Sequence, residues 1–304
     1  MPMRKLRFAL FGNIYQAKKS VLVKKLLCSL EERKAEVYID RRFYEYLTGQ
    51  LLLDITPTGL IDDENFSADI AVSMGGDGTF LQTASRVADK GIPIIGINMG
   101  RMGFLADVSG DEIDDAIACI YADECRVEER SVLAVEYING GERKAEYGAE
   151  KDSFPYALNE VAVLKRDNSS MISIRVDING EYLTTYQADG LIINTPTGST
   201  GYALSVGGPI MSPEAHTLGI TPVAPHSLNV RPITLCDDAE VTLTVESRNH
   251  NFLVAIDGRS EACSEETRLH IRKAPYCIRV LKQPESSFYR TLRSKLMWGN
   301  DVRN

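Results

Sequence analysis

Hydrophobic residues in the first 122 positions are arranged with two different periods. Four short apolar runs have the length of buried strands, at residues 6–12, 35–40, 68–74 and 92–98. Apolar residues spaced by three or four predict helices after these runs, at residues 18–34, 80–88 and 111–124. Because strands and helices alternate with short connections, the pattern predicts a parallel sheet covered by helices on both faces.

After residue 122 apolar residues alternate with polar ones, as they do in half-buried strands. Residues 131–150 predict a hairpin about Asn139, Gly140 and Gly141. The alternation continues in four further segments, at residues 171–180, 240–247, 267–273 and 276–282. Many short alternating strands with Gly and Asn turns indicate an antiparallel sandwich or stacked sheets.

The chain has 304 residues, which exceeds the usual size of one compact core, so we expect two domains. The first, at residues 1–122, is predicted to be a Rossmann-like α/β domain with a parallel sheet. The second, at residues 123–283, is predicted to be an antiparallel β-rich domain. Helical spacing returns in the tail with Leu292, Leu296 and Trp298, so residues 284–304 are expected to pack back on the first domain.

The composition argues against several kinds of partner and compartment for this chain. The formal net charge of −8 argues against a broad surface for nucleic acid. No apolar run approaches the roughly 18 residues of a membrane span, and we interpret residues 1–16 as leading into a strand rather than as a signal peptide. Six scattered cysteines without a CxxC pair indicate a reducing compartment, with neither a disulfide frame nor a zinc site. We therefore expect a cytoplasmic protein that binds neither membranes nor nucleic acid.

A cluster of glycines surrounds Asp77 where the third predicted strand ends. Gly75, Gly76 and Gly78 permit positive φ angles, so successive N–H groups and the following helix predict a phosphate-binding nest. Asp77 would hold a Mg²⁺ ion that bridges phosphates, or accept a proton from a hydroxyl that attacks a phosphoryl group. A tight turn with Asp77 near the helix N-cap explains the same tetrapeptide equally well.

A second segment rich in Gly, Ser and Thr follows another predicted strand, at residues 194–211. Small residues and hydroxyls would let a nucleotide lie flat there, with the Tyr202 ring for stacking and Thr200 and Ser205 for hydrogen bonds. The alternative is a flexible polar loop. We favour a binding segment, because a plain loop does not require so many special backbone positions.

Two polar pairs interrupt apolar stretches, Asn159-Glu160 and Asp189-Gly190. An acid and an amide beside strands can bind the two hydroxyls of a ribose. Taken singly, each pair is better explained by a hairpin or bulge with solvated side chains. The two glycine-rich segments add weight to the interpretation as a binding site for both pairs. His226 has no metal-ligand spacing around it, so an ordinary loop histidine and a contact to a phosphate or base both stay open.

Six segments in this order resemble the NAD kinase family. They are GGDGT at 75–79, NMGRMGFL at 98–105, LNE at 158–160, DG at 189–190, TPTGSTGYALSVGGPI at 195–210 and PHSLNVRP at 225–232. Diacylglycerol kinases, sphingosine kinases and 6-phosphofructokinases share the first motif or a related form, whereas the long Ser-Thr-Gly segment together with LNE is much more specific. The resemblance extends over most of the chain.

This resemblance implies transfer of the γ-phosphoryl group of ATP to the 2′-hydroxyl of the adenosine ribose of NAD. It also implies a divalent cation, Mg²⁺, a cytoplasmic homodimer or homotetramer, and a β-rich domain that supplies most of the NAD site. Asp77 matches the proton acceptor of the family. The motifs and the resemblance together suggest these nucleotide-binding residues, with no metal-ligating residue assigned: Gly75, Gly76, Gly78, Thr79, Asn159, Glu160, Asp189, Thr200, Gly201, Tyr202, Ala203, Leu204 and Ser205.

Two positions depart from the family pattern. Arg259 stands where the family often has glutamine, and Gln187 stands where it often has a basic residue. The contacts at these two positions, and with them the choice between NAD and NADH, therefore stay open. The donor range, the oligomer size and feedback by NADP or NADPH are not shown by the sequence either.

Three rival functions share some features of the sequence. A lipid kinase lacks support because the chain has no GTGN-type motif and no membrane patch. A dehydrogenase lacks support because no GxGxxG follows a strand. A catalytically silent sensor of NAD or NADP stays open, although the intact Asp77 argues against it.

Overall fold

The computed structural model describes residues 4–14, 20–100, 103–139, 142–144, 155–166 and 170–299. The chain divides into two compact units. The first unit consists of Met1–Glu129 and Ile278–Asn304, and the second consists of Arg130–Cys277. The first unit is therefore discontinuous in sequence, because the whole second unit is inserted into it.

The first unit is built on parallel strands and helices. Its first elements are β1 (Arg7–Gly12), α1 (Ser20–Glu32), β2 (Glu36–Asp40), α2 (Arg41–Glu45), β3 (Gly59–Ile61), β4 (Ile70–Gly75), α3 (Asp77–Val87), β5 (Ile94–Asn98) and α4 (Ile113–Ala122). A π-helical turn at Tyr46–Gln50 and 3-10 turns at Ala88–Lys90 and Gly110–Glu112 join them. The predicted alternation of strands and helices is confirmed.

The strand order of the parallel sheet is β3-β2-β1-β4-β5. Both β4 and β5 are buried along their whole length, as strands covered on both faces should be. The order reverses between β1 and β4, and ligands of open α/β sheets bind beyond the carboxyl ends of strands at such a reversal. Asp77, two residues beyond the end of β4, lies at this reversal.

The second unit consists mainly of antiparallel strands. The remaining strands of the chain are β6 (Arg126–Asn139), β7 (Glu142–Lys144), β8 (Tyr156–Ala157), β9 (Glu160–Lys165), β10 (Ile172–Ile178), β11 (Glu181–Ala188), β12 (Gly190–Asn194), β13 (Thr217–Val223), β14 (Ile233–Cys236), β15 (Val241–Glu246), β16 (Asn251–Ile256), β17 (Arg259–Ser264) and β18 (Arg268–Lys282). After β12 come the 3-10 turn Thr197–Thr200 and the short helix α5 (Tyr202–Ser205). The predicted hairpin is present as the pairing of β6 with β7, and its turn at Gly140 and Gly141 lies outside the described residues.

Two sheets form the second unit. One contains β11-β10-β15-β18 together with β6, β7 and β8, and the other has the order β14-β13-β12-β9-β16-β17. One apolar cluster joins their facing sides, with Ile174 and Leu243 from the first sheet and Val163, Ile193 and Val254 from the second. The alternating pattern therefore reflects a sandwich, and the predicted fold class is confirmed for both units.

The chain returns to the first unit at the end of β18, where Val280 pairs in parallel with Ile94 of β5. The last helix, α6 (Phe288–Leu296), follows and buries Leu292. Trp298, which the helical spacing placed on the apolar face of this helix, is exposed instead. The helix ends before it because Met297 takes a left-handed backbone conformation, with φ of 50°.

A buried ion pair in the first unit fixes the segment that follows β5. The Lys282 ammonium lies 2.9 Å from the Asp107 carboxylate, and the two side chains are 4% and 10% exposed. The Ser286 hydroxyl donates to the same carboxylate at 2.6 Å. A Cβ atom on Gly96 would lie 2.7 Å from the Cα of Ala106. Only glycine at position 96 therefore lets this segment pack directly on β5.

Replacing Lys282 by Met should destabilise the protein by about 3 kcal/mol, because it leaves the Asp107 carboxylate buried without its cation. The measurement is the shift of the urea unfolding midpoint. Lys5→Met is the matched control, since Lys5 pairs with Glu36 on the surface and its loss should leave the midpoint unchanged. A shift for Lys282→Met as small as that of the control would contradict the role of the pair.

Candidate functional site

Asp77 is the first residue of α3, and its side chain bonds to a different segment of the first unit. Oδ2 accepts the N–H of Phe104 at 2.9 Å. Oδ1 accepts the N–H groups of Leu105 and Ala106 at 3.0 and 3.1 Å. The preceding Gly76 is the N-cap residue and makes no side-chain cap bond. Asp77 is therefore oriented by the segment after β5 and does not act as a cap of its own helix.

The close approach of that segment depends on Gly103. A Cβ atom there would lie 1.8 Å from Asp77 Oδ1, so a larger residue cannot occupy this position without displacing the carboxylate. The Asn98 side-chain amide donates to the carbonyl of Ala106 at 3.2 Å and holds the segment from the other side. These contacts fix the carboxylate in one orientation.

A lysine from the far end of the chain completes the surroundings of Asp77. The Lys295 ammonium, on α6, lies 3.4 Å from Oδ2 of Asp77. It also lies 4.6 Å from the centre of the Phe104 ring, which is a cation–π contact. The side chains of Lys295 and Asp77 are 34% and 29% exposed, so a ligand can reach both.

The glycines around Asp77 do not have the positive φ angles that the sequence predicted. Gly75, Gly76 and Gly78 all have negative φ angles, so the predicted nest built on positive φ is wrong. A Cβ atom on Gly75 would lie 2.2 Å from Thr79 Oγ1, so Gly75 makes room for Thr79. No atom lies within 4 Å of the Cβ positions of Gly76 and Gly78, which leaves the first turn of α3 open to a ligand.

In the second unit Asp257 positions Asn159 and Glu160. Its carboxylate accepts the N–H groups of Leu158 at 2.8 Å, Asn159 at 2.8 Å and Glu160 at 3.2 Å. Asp257 follows β16 with a left-handed backbone, at φ of 47°. Burial raises the pKa of the Asp257 carboxyl, and the three amide donors oppose that rise.

Glu160 lies at the start of β9 and is only 9% exposed. Burial, and then the charge of Asp257, raise the pKa of Glu160 to about 7, while the N–H of Tyr202 opposes this from 3.4 Å. Near neutral pH the carboxyl of Glu160 is therefore present in both its protonated and its ionised form. It can donate or accept a hydrogen bond.

The Ser-Thr-Gly segment packs directly on residues 158–160. The N–H of Thr195 donates to the carbonyl of Asn159 at 2.9 Å, and the Thr195 hydroxyl donates to that of Leu158 at 2.6 Å. A Cβ atom on Gly198 would lie 2.1 Å from the carbonyl oxygen of Asn159. A Cβ atom on Gly201 would lie 2.7 Å from Glu160 Oε2. The alternative of a flexible polar loop is wrong, because a 3-10 turn and α5 form here with close backbone contacts.

Some side chains of the Ser-Thr-Gly segment pack on the underlying sheet, and others are exposed. Ala203 is buried against Ala162 and Ile192 of the underlying sheet, and Leu204 is half-buried. The exposed ring of Tyr202 is available for stacking. The hydroxyls of Thr200 and Ser205 donate to the carbonyls three residues earlier, at 3.2 and 2.8 Å, and keep their acceptor lone pairs.

Four buried side-chain oxygens in or beside this segment have no partner among the described residues. They are Oδ1 of Asn159 and of Asn194, and the hydroxyl oxygens of Thr197 and Thr221. Buried polar groups are normally hydrogen-bonded, so an unpaired set next to an exposed aromatic ring indicates a place where a ligand binds.

Asp189 lies at the other end of β12 from Asn159 and Glu160. Gly190 pairs with Leu164, whereas Asn194 pairs with Glu160. The five residue steps from 189 to 194 correspond to about 16 Å along a strand. Asp189 forms an ion pair with Lys165 at 2.7 Å. The structure thus brings Asn159, Glu160 and residues 195–205 together and places Asp189 elsewhere.

The sequence left open the roles of Gln187, His226 and Arg259. The backbone N–H of the exposed His226 donates to the carbonyl of Gln187 at 2.9 Å, and the Gln187 side chain donates to Ser173 at 2.8 Å. The Arg259 guanidinium donates to the carbonyls of Ile256 and Tyr156, both at 3.3 Å. Arg259 is therefore close in sequence and in space to Asp257. Gln187 lies two residues before Asp189, and His226 is bonded to Gln187.

Sequence reasoning missed Asp257 and Lys295. Asp257-Gly258 has the form of a hairpin turn between two strands, and the acid in such a turn gives no sign that it binds a remote segment. Lys295 lies among polar residues of an amphipathic helix, where a lysine is usual.

No three His, Cys, Asp or Glu side chains within the described ranges come close enough together to hold a metal ion.

None of the helices in the described part of the chain is both long and apolar enough to cross a membrane.

Glu160 should make the protein less stable as the pH rises from about 4.5 to 7. In the unfolded chain the Glu160 carboxyl ionises near its ordinary pKa of 4.5, whereas the folded environment raises the pKa to about 7. The stability that protonated Glu160 contributes is fully present below pH 4.5 and is lost as the pH passes 7, with a total on the order of 3 kcal/mol.

The test compares the unfolding free energy of the wild type with that of Glu160→Gln across this pH range. The variant cannot ionise, so its stability relative to the wild type should increase with pH. Glu31→Gln on the surface is the control and should run parallel to the wild type. Parallel curves for Glu160→Gln as well would show that the environment of Glu160 does not favour the protonated form.

Comparison with known proteins shows that both units, the one with Asp77 and the one with Asn159 and Glu160, match models of the same family. The model of the ATP-NAD kinase N-terminal domain matches residues 10–125, and that of the ATP-NAD kinase C-terminal domain matches residues 158–283. An NAD kinase from Bacteroides fragilis is 57% identical over 298 residues, which cover 98% of this chain and 100% of that protein.

Two solved structures have the same fold. Yeast NADH kinase complexed with NADH has a TM-score of 0.85 at 21% identity, covering 98% of this chain and 89% of that one. An NAD kinase from Archaeoglobus fulgidus in complex with ATP has a TM-score of 0.72 at 25% identity, covering 96% and 99%. The two family models and the full-length similarity show that the chain belongs to the ATP-NAD kinase family.

Proposed function

We propose that this chain transfers the γ-phosphoryl group of ATP to the 2′-hydroxyl of the adenosine ribose of NAD, giving NADP and ADP. The full-length similarity to the Bacteroides fragilis enzyme supports NAD phosphorylation. The NADH and ATP complexes of the two structural neighbours support the two kinds of ligand that the reaction needs. The observation that carries the assignment of roles is the fixed carboxylate of Asp77.

Asp77 is proposed to accept the proton of the attacking 2′-hydroxyl. Three N–H groups hold its carboxylate in one orientation, and the side chain is partly exposed. A preoriented acceptor of this kind lowers the cost of aligning the hydroxyl with the phosphoryl group. The bond from the 2′-oxygen to the γ-phosphorus forms as the bond to the leaving ADP oxygen breaks, and the proton goes to Asp77.

The start of α3 is proposed to bind phosphates of Mg–ATP. Its backbone N–H groups point out of the helix N-terminus, and Gly76 and Gly78 present no side chain that would block them. Gly75 and Thr79 support this turn by packing against each other. A Mg²⁺ ion bound to the nucleotide would supply charge neutralisation of the phosphate oxygens.

The second unit is proposed to bind NAD. The unpaired Asn159 oxygen and the ionised Glu160 carboxylate accept hydrogen bonds from ribose hydroxyls, and the Tyr202 ring stacks on a base or nicotinamide ring. Residues 200–205 form the polar edge of this site. Asp189 is a further proposed contact, and its position along β12 means that it would touch a different part of NAD from Glu160.

A cytoplasmic homodimer or homotetramer is part of the same proposal and rests on the family resemblance alone. Sedimentation velocity of the purified protein measures the oligomer size directly.

Asp77→Asn should lower kcat about a thousandfold and leave the dissociation constant of NAD nearly unchanged, because it removes the proton acceptor and keeps the shape. NADP formation from NAD and Mg–ATP measures the first quantity, and calorimetric titration of NAD measures the second. Asp111→Asn, at an exposed acid of the same unit, is the control and should keep full turnover. Turnover by Asp77→Asn near that of the wild type would rule out Asp77 as the acceptor.

The assay of NADP formation also distinguishes a kinase from a catalytically silent nucleotide sensor. A wild-type protein that binds NAD or NADP and forms no NADP would instead be a nucleotide sensor.

Gly78→Ala should reduce kcat/KM for ATP at least about tenfold without loss of stability. The added methyl group faces open space, and alanine is favoured over glycine inside a helix by up to about 1 kcal/mol. Gly75→Ala serves as the comparison variant. Its added methyl group would collide with Thr79, so this substitution should lower the melting temperature. Unchanged ATP kinetics in a stable Gly78→Ala variant would remove this turn from the proposed phosphate site.

A further inference from the structure

The acceptor positions of the Asp77 carboxylate are fully used in the structure. A carboxylate offers about four lone-pair sites. Oδ1 accepts the N–H groups of Leu105 and Ala106, and Oδ2 accepts those of Phe104 and Lys295. One of these four donors must leave before Asp77 can accept a proton from a substrate hydroxyl.

Three of the four donors are backbone groups that cannot leave singly. They belong to one segment, which packs on β5 at Gly96 and approaches Asp77 at Gly103. The buried pair of Asp107 and Lys282 anchors the end of that segment. Removing one of these amides from Asp77 would require moving the whole segment away from the sheet.

Lys295 is bound much less firmly. Its ammonium lies 3.4 Å from Oδ2, whereas a charge-assisted bond between an ammonium and a carboxylate usually measures about 2.8 Å. Both side chains are about one-third exposed, so the pair is screened and contributes little to stability. A lysine also has four rotatable side-chain bonds, and its ammonium can move while α6 stays in place.

The Phe104 ring keeps a displaced ammonium close to the site. The Lys295 nitrogen lies 4.6 Å from the ring centre, and the ring itself contacts Phe288 of α6 at 6.1 Å between centres. Phe104 therefore donates its N–H to Asp77 and supports the ammonium with its ring. An ammonium that leaves Oδ2 remains next to the carboxylate and next to the position of the attacking hydroxyl.

We propose that the Lys295 ammonium occupies the proton-accepting position on Oδ2 of Asp77 in the free protein. When NAD binds, its 2′-hydroxyl takes that position, and the ammonium moves to the phosphoryl group that is being transferred. This rests on the proposed function. The new bond joins the 2′-oxygen to the γ-phosphorus, and the bond from the γ-phosphorus to the ADP oxygen breaks. The hydroxyl proton passes to Oδ2 of Asp77, and the Lys295 ammonium donates to an oxygen of the moving phosphoryl group, where negative charge is concentrated.

The first test is the steady-state kinetics of Lys295→Met. We expect kcat to fall about a hundredfold, as it does when one preorganised donor to a transition state is lost. The KM for NAD should change less than about threefold and the melting temperature less than about 2 °C, because the ion pair is exposed. Lys295→Arg should recover at least about a tenth of wild-type kcat. Arg293→Met removes a charge from an exposed position of the same helix and should behave as the wild type.

The second test uses ADP with aluminium fluoride, which imitates the phosphoryl group in transfer. In the presence of NAD this mixture should inhibit the wild type far more strongly than ADP alone, and Lys295→Met should lose that difference while its affinity for ADP stays the same. Turnover by Lys295→Met within threefold of the wild type would overturn the inference. An equal loss of ADP affinity, or no recovery with arginine, would show a structural role and would also overturn it. A wild type without turnover would instead overturn the proposed function.

Discussion

The geometry of the first unit depends on one contact, the bonds from three consecutive backbone N–H groups to the Asp77 carboxylate. An isolated carboxylate at the end of a buried strand would rotate freely, and its hydration would compete with any substrate. Gathering the amides of residues 104–106 around it replaces water by fixed dipoles. Other features of the unit follow from this contact, including the glycines at 96 and 103 and the buried pair of Asp107 with Lys282.

The second unit uses the same device for a different purpose. Asp257 also binds three consecutive amides of a remote segment, those of residues 158–160. Its carboxylate is buried, whereas that of Asp77 is partly exposed. The buried acid can therefore only position its neighbours, and the exposed acid can also meet a ligand. In both units a carboxylate on one element fixes a loop from another, which joins parts of the chain that are far apart in sequence.

Periodicity predicted the strands and helices well because burial is regular in both sheets. Strands β4 and β5 are apolar throughout, and β10 and β15 alternate, as their environments require. The residues around the two acids were harder to predict. The sequence singled out the glycines at 75, 76 and 78. Their lack of positive φ angles, the packing of Gly75 on Thr79 and the open space beside Gly76 and Gly78 could not be predicted, because no local pattern encodes them. Lys295 and Asp257 act over long sequence separations, and a single sequence carries no record of such contacts.

The discontinuity of the first unit has a consequence for biosynthesis. Lys282, which anchors the segment around Asp77, and Lys295, which contacts Asp77 itself, both follow the second unit in the chain. A ribosome therefore releases GGDGT early and the residues that complete its surroundings last. A nascent chain, or a product of premature termination, would carry GGDGT and the Ser-Thr-Gly segment and still lack the two lysines that complete the surroundings of Asp77. The surroundings of Asp77 can therefore be completed only after residue 295 has been synthesised.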